Sequence, residues 1–426
     1  MHLSKSQAAV ITALNVVIVA LVAVVFLVPL GGVPASGSGD KLPTGGETQE
    51  HVKLREASKG AVPEIIRETR LMGNGDESVV AVYFRGGVSY IFGNATVKGL
   101  DFDSFGGFLC LVDGAGTILV FSYFDGAVSA VGVVGGGYAV GAGNKLYFAD
   151  YEGAIEVVAE LDGTAREFLA VSPTKLAAVT ELSENSFKLT EYYIEDGWKA
   201  GNNTRIYSIR KLKYFGCYAF DDYYVISARA TSETGYAAVA FFSFKAGGMP
   251  TEYYEGGAVE NVTRPFAVMP HGKEFFAAVT RNGKAGIISL DNSFSLFRSI
   301  SLGLEAANAR LFNVGEKCYA CFFASGGAVT YDVDDELGCA KLDAWDGMEI
   351  DRVLLFGEPT AVGNKNGGAV IAPLSGKAIE LDTQNAVFYG GFMSADGYTL
   401  VMSATGGGAL SKPTAGRDVY VITVRR

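Results

Sequence analysis

The sequence predicts an all-β body of seven or eight small antiparallel sheets behind a single N-terminal hydrophobic α-helix. Three observations carry that expectation. Residues 8–33 are apolar and uncharged; from Glu77 onward short apolar or alternating runs are cut by Gly, Asp-Gly, Asn-Gly and Ser-rich turns; and the strand-turn-strand pattern recurs at regular spacing. Composition agrees. The 426 residues include 55 Gly, 27 Phe and 21 Tyr but 11 Pro, the profile of strands joined by glycine turns rather than of a helical bundle. Shares of 49% apolar and 19% charged residues exclude a disordered polyampholyte. A net charge of −11 without a long basic run removes the electrostatic footprint of a nucleic-acid binder. His2, His51 and His271 are the only histidines, which leaves little for a His-based metal site or general base. No cofactor is expected.

The first element is the segment AAVITALNVVIVALVAVVFLVPLGGV at residues 8–33, within a stretch free of charge from Lys5 to Asp40. It exceeds the roughly 20 apolar residues that span a bilayer. Because it is apolar on every side, lipid or identical subunits must surround it. Val17, Ile18, Leu21, Val24, Val25 and Leu27 are expected to make that contact, while Asn15 and Thr12 seek a partner helix. Lys5 ahead of the run places the N-terminus in the cytoplasm and the rest of the chain outside. Three fates remain open: an uncleaved anchor, a signal peptide cut after Ala35, and removal of a short leader between Ser6 and Gln7. The last rests on Lys5-Ser6-Gln7-Ala8-Ala9-Val10, which resembles the class III leader of archaeal type IV pilin-like proteins, here with one Lys as its basic part. That resemblance implies a filament whose core is a bundle of these helices.

Residues 34–76 form a Gly/Ser-rich stalk, with a short helix expected near Val62 to Leu71. The segments Val171–Val179, Val268–Val279 and Met393–Met402 then share a strand, a tight polar turn and a second strand. Their starting positions, 171, 268 and 393, lie close to two and three units apart for a repeat of about 40 to 50 residues, the period of a four-stranded propeller blade. Small twisted sheets cover one another when ringed about an axis, so residues 77–426 are expected to form a seven- or eight-bladed β-propeller. The sequence resembles β-propeller proteins broadly over this region. No family signature accompanies the resemblance, Trp345-Asp346 being a lone pair. Ser78–Phe84 and Asp418–Val424 are the expected ring-closing strands, and a pair of β-sandwiches is the alternative.

Residues able to carry chemistry are few. Cys318 and Cys321 form a CxxC on an expected strand, where residues three apart face opposite ways and cannot chelate one ion. A disulfide from Cys339 to Cys318 or Cys321, or buried free thiols, are the readings left open. The carboxylate groups Asp101/Asp103, Asp221/Asp222 and Asp332–Glu336 read as solvated turns, since the last lacks the glycine placement of a calcium loop. His271, in a Pro-His-Gly-Lys turn, reads as a surface residue. Paired aromatics such as Phe275-Phe276 send one ring to each face of a strand. Asn94, Asn202 and Asn261 begin N-glycosylation sequons, acceptors for a chain outside the cell.

The expected function is that of a non-enzymatic extracellular surface protein, in adhesion or as a structural subunit of a pilus-like filament. Its partners are membrane lipid or identical subunits through the helix, and a surface glycan or neighbouring surface protein through the propeller. The alternative is a membrane-anchored propeller enzyme or ligand-binding ectodomain acting on glycans. That alternative requires carboxylates and Arg to converge on the mouth of the ring.

Overall fold

The computed structural model describes residues 52–54 and, apart from short connecting stretches, 65–425; between 194 and 266 it describes strand pairing without side chains. The hydrophobic run, with Ser6, Gln7, Asn15, Val17, Ile18, Leu21, Val24, Val25 and Leu27, lies outside the described residues. Among those described, no helix is long and apolar enough to cross a membrane.

The described strands form eight antiparallel sheets, each consecutive in sequence except the last. Their first strands are Ser78–Arg85, Val128–Val134, Thr164–Ser172, Lys213–Phe220, Val262–His271, Asn308–Val314, Glu349–Leu355 and Val387–Ser394. Each of these touches its counterpart in the next sheet, and Val387–Ser394 touches Ser78–Arg85, so the eight close into a ring. This is an eight-bladed β-propeller with the first strands innermost. The three segments aligned in the sequence are the inner-to-second-strand hairpins of blades 3, 5 and 8, two and three blades apart.

Burial explains why a ring forms. Second strands lie mid-sheet between two neighbouring blades: in Glu274–Arg281 the residues Phe275 to Val279 are all buried, and Gly397–Ala404 is buried at every position. Phe275 and Phe276, on opposite faces of one strand, are 0% and 1% exposed. A surface half in water would leave one of these rings wet, so each sheet needs a neighbour on both sides.

Closure differs from expectation. Asp418–Arg425 is the third strand of blade 8, but its outer partner is Ile65–Arg70, with Val52–Leu54 beyond it. Ser78–Arg85 instead begins blade 1 and pairs with Val88–Val97. The helix expected near residues 62–71 is therefore a strand at Ile65–Arg70. A ten-residue helix has little stability of its own, whereas Ile65, Ile66 and Thr69 suit a pleated ladder offered by an unpaired edge. The strand is clipped onward to blade 1: Thr69 Oγ1 donates to the Gly116 carbonyl at 2.6 Å and Arg67 to that of Gly114 at 2.9 Å. Glu77 accepts the Val419 N–H at 2.7 Å, and Arg70 pairs with fully buried Asp418 at 2.7 Å.

Candidate functional site

The innermost strands begin at one mouth of the ring, and there they share a device. In seven of the eight blades an extra residue is inserted near the strand start, at Val80, Ser129, Arg166, Phe215, Thr263, Asp351 and Tyr389. A bulge sharpens the local twist and re-aims the inserted residue. The second strand answers with glycine in three blades: Gly93 lies opposite Val79, Gly141 opposite Ala130 and Gly363 opposite Ile350. A Cβ would sit 2.3 Å from the Ser78 carbonyl at Gly93 and 2.0 Å from that of Glu349 at Gly363.

Twice the next residue is Asn, and it ties adjacent blades. Asn94 donates its amide to the Val128 carbonyl at 3.0 Å and accepts the Val128 N–H at 2.7 Å. Asn364 donates to the Ala386 carbonyl at 2.6 Å. Both reach from a second strand to the start of the next innermost strand. Asn94, offered by the sequence as a glycan acceptor, is 8% exposed in the folded ring, with its amide nitrogen engaged by the Val128 carbonyl. Asn202 and Asn261 lie outside the described residues.

Charge gathers at this mouth between blades 6, 7 and 8. Asp351 Oδ2 accepts the Phe388 N–H at 2.9 Å from blade 8. From blade 6, Arg310 donates to the Asp351 carbonyl at 2.5 Å and lies 3.4 Å from Oδ1. Burial holds the Asp351 carboxyl above its ordinary range, against the pull of these donors. Arg352 follows, and burial followed by the charge of Arg310 pushes its pKa down. The Nε atoms of Arg310 and Arg352 are sealed from solvent with no partner. Tyr389, within electrostatic reach of Arg352, shares a 3.0 Å hydrogen bond with Ser403. None of these residues was picked out from the sequence. The recurrent Gly-Asn dipeptides at 93–94 and 363–364 were its available signal for the blade starts.

Elsewhere the structure distributes the candidate residues singly. Cys318 belongs to the core between blades 5 and 6 and Cys321 to that between blades 6 and 7, as their opposite faces require. The expected disulfide to Cys339 is absent, and Cys110, Cys318, Cys321 and Cys339 are free thiols. Val333 pairs with Cys318 on one side and Cys339 on the other, so the two cysteines stand two strand spacings apart, about 9.6 Å, beyond the reach of a disulfide.

The run Asp332–Glu336 ends the strand Gly327–Val333 and opens the turn that follows it. Asp332 pairs with Lys317 at 2.5 Å, while Asp334 caps the N–H groups of Glu336 and Gly338 at 2.9 and 2.7 Å. Asp113 and Asp150 cap equivalent turns between third and fourth strands in blades 1 and 2. No group of metal-ligating side chains occurs among the described residues. Asp101, Asp103, Asp221 and Asp222 lie outside them. His271, expected at the surface, has a side chain only 9% exposed, because it stacks on Phe276 at 4.5 Å and reaches Asn313 and Asp335 in blade 6 at 3.3 and 3.0 Å. Trp345 is buried and donates to the Ala372 carbonyl of blade 7 at 2.9 Å. On the opposite face of the ring, a cleft of about 600 Å³ is lined by Glu358, Lys377, Ile379, Glu380 and Tyr398.

No protein-family model matches the sequence, and no curated protein sequence matches it. Among solved structures the chain is similar to the β-propeller domain of the Trilobed protease from Pyrococcus furiosus, with 10% identity, 73% of this chain and 97% of that one covered, and a TM-score of 0.49. BamB from Moraxella catarrhalis gives 13% identity, 85% and 98% coverage, and 0.49. The acylaminoacyl peptidase of Pyrococcus horikoshii gives 12% identity, 77% and 58% coverage, and 0.48, so the chain spans 58% of that peptidase's length. These similarities are distant. The propeller architecture stands on strand order and ring closure within this chain.

Proposed function

We propose that this protein is a non-enzymatic surface protein whose propeller is displayed outside the cell by its N-terminal apolar segment, in adhesion or as a structural subunit of a pilus-like filament. The observation that carries this reading is the uncharged run at residues 8–33, which requires a bilayer or sister segments around it. Val52–Leu54 and Ile65–Arg70 both belong to the blade 8 sheet, so residues 34–51 separate the run from the body. Two features of the ring support display over catalysis. Asp351, the buried carboxylate at the start of the blade 7 inner strand, is already held by Arg310 and the Phe388 N–H, which opposes its use as a free acid or base. At the opposite mouth Val133, Leu355 and Met393, near the ends of three innermost strands, are 45%, 63% and 41% exposed, an apolar rim suited to a neighbouring surface protein.

Shaving intact cells with protease and sequencing the mature N-terminus tests this reading. Release of a propeller fragment is expected. A mature chain starting at Gln7 supports the filament version, one starting at Met1 the anchor, and one starting at Ser36 a secreted form. Recovery of the intact chain as a monodisperse, detergent-free cytoplasmic protein would overturn the proposal. The second reading, a ligand-binding ectodomain, is favoured by the Arg310–Asp351–Arg352 cluster.

A further inference from the structure

We propose that blade 1 pairs edge to edge with blade 1 of a second copy of this chain, through an antiparallel ladder between their outermost strands, Ile118–Phe124. The inference rests on how the outer edges of the ring differ. Among the described strands, the outermost of every other blade carries Lys, Arg or Glu, as in Ile155–Glu160, Leu296–Ser301 and Ile379–Leu381. A charged side chain on an open edge opposes the addition of another strand. Ile118–Phe124 reads ILVFSYF, with no charge, no Pro and no Gly, and at 7 residues it is the longest of these outer strands.

Its one ladder partner among the described strands is Ser104–Val112, so its other side presents backbone N–H and C=O groups that no described strand meets. Leu119 bulges at the strand start and is 51% exposed; beyond it Val120–Phe124 keeps regular register with Gly107–Leu111. The blade cores brace this edge from both faces, Phe121 stacking on Phe108 at 5.5 Å and Val120 packing towards blade 2. A braced edge loses little freedom when a strand is added. Symmetry and charge name the occupant. A two-fold axis pairs an antiparallel strand with itself, so one chain supplies both halves. About Ser122 the pairs are Val120 with Phe124 and Phe121 with Tyr123, apolar and aromatic matches of the kind that stabilise a ladder. Copies of a chain at −11 repel, yet in this register Asp125 meets Leu119 rather than a second carboxylate, and Lys145 neutralises it within its own chain. The contact belongs to the ring itself and does not depend on where the protein resides.

The test uses the full chain in detergent, combining sedimentation velocity over a concentration series with hydrogen exchange on peptides covering residues 118–124. Reversible association is expected, with exchange at 118–124 slowing several-fold as concentration rises while that of the charged edge Leu296–Ser301 stays constant. Leu119→Glu sets a carboxylate against Asp125 of the other copy and is expected to weaken association at least tenfold. Leu119→Lys sets an amine there and is expected to weaken it less. Both change an exposed side chain, so both are expected to fold, which the melt of each verifies. Association that leaves residues 118–124 unprotected assigns the contact to another part of the chain and overturns the proposal. Exchange at 118–124 that does not vary with concentration, or equal association by wild type and folded Leu119→Glu, overturns it as well.

Discussion

Replacing Asn94 with Ala should destabilise the ring without touching any surface function. Asn94 makes two hydrogen bonds to one residue of the next blade, at 2.7 Å to the Val128 N–H and 3.0 Å to its carbonyl. Val128 is 3% exposed, so both backbone groups would be stranded where water reaches them poorly. At about 1–3 kcal/mol for each buried group left without a partner, Asn94→Ala should cost about 2–6 kcal/mol. Asn94→Asp keeps the acceptor but turns a carboxylate towards the Val128 carbonyl, and it should cost a similar amount. The assay is denaturant unfolding of the full chain in detergent. Thr96→Ala is the control, because it erases the sequon and leaves the clip intact; it should stay within about 0.5 kcal/mol of wild type. Mass spectrometry should find Asn94 unmodified. A glycan at Asn94 in the folded protein, or an Asn94→Ala midpoint indistinguishable from that of Thr96→Ala, would refute the reasoning.

Thr69→Pro places a residue without an N–H in the closing strand opposite Val421 and removes the hydroxyl bond to Gly116. It should cost about 3 kcal/mol or more and expose blade 8 to limited proteolysis, whereas an unchanged melt would contradict closure by Ile65–Arg70. Trp345→Phe leaves the Ala372 carbonyl without its 2.9 Å donor and should cost about 1–3 kcal/mol, read by thermal unfolding against the larger loss of Trp345→Ala. Burial pushes the Cys318 thiol up to about 12 and those of Cys321 and Cys339 to about 11, from an ordinary 9.0. The folded chain therefore holds these protons longer than the unfolded one. Their contribution to stability is complete below pH 9 and is lost as pH rises through 11 to 12. Between about pH 8 and pH 10.5 wild type should lose more stability than Cys339→Ser, and equal losses would count against the burial of that thiol.

The repeat was legible because blade geometry imprints itself on the chain. Three hairpins could be aligned from their turn residues alone, and they occupy blades 3, 5 and 8. Buried aromatic pairs and glycine turns are local demands of a strand packed on both faces, so they appear in composition. The opposite facing of Cys318 and Cys321 follows from strand alternation and needed no coordinates. Pairing choices were not legible. Val333 between Cys318 and Cys339 excludes their disulfide through the order of strands within a sheet, which no single segment encodes. Asn94 carries a sequon that reads identically whether its amide faces solvent or the next blade.

By itself the sequence determined the apolar opening, the β-rich body and the rhythm of its blades, because each depends on hydrophobic pattern and turn chemistry over a few neighbouring residues. Only the tertiary structure decided the count of eight, the closing strand at Ile65–Arg70 and the meeting of Arg310, Asp351, Arg352 and Tyr389. Those outcomes join residues tens to hundreds of positions apart. Their energies come from the edge left free when a ring closes and from charges brought together at its mouth, quantities that exist only once the chain has come back upon itself.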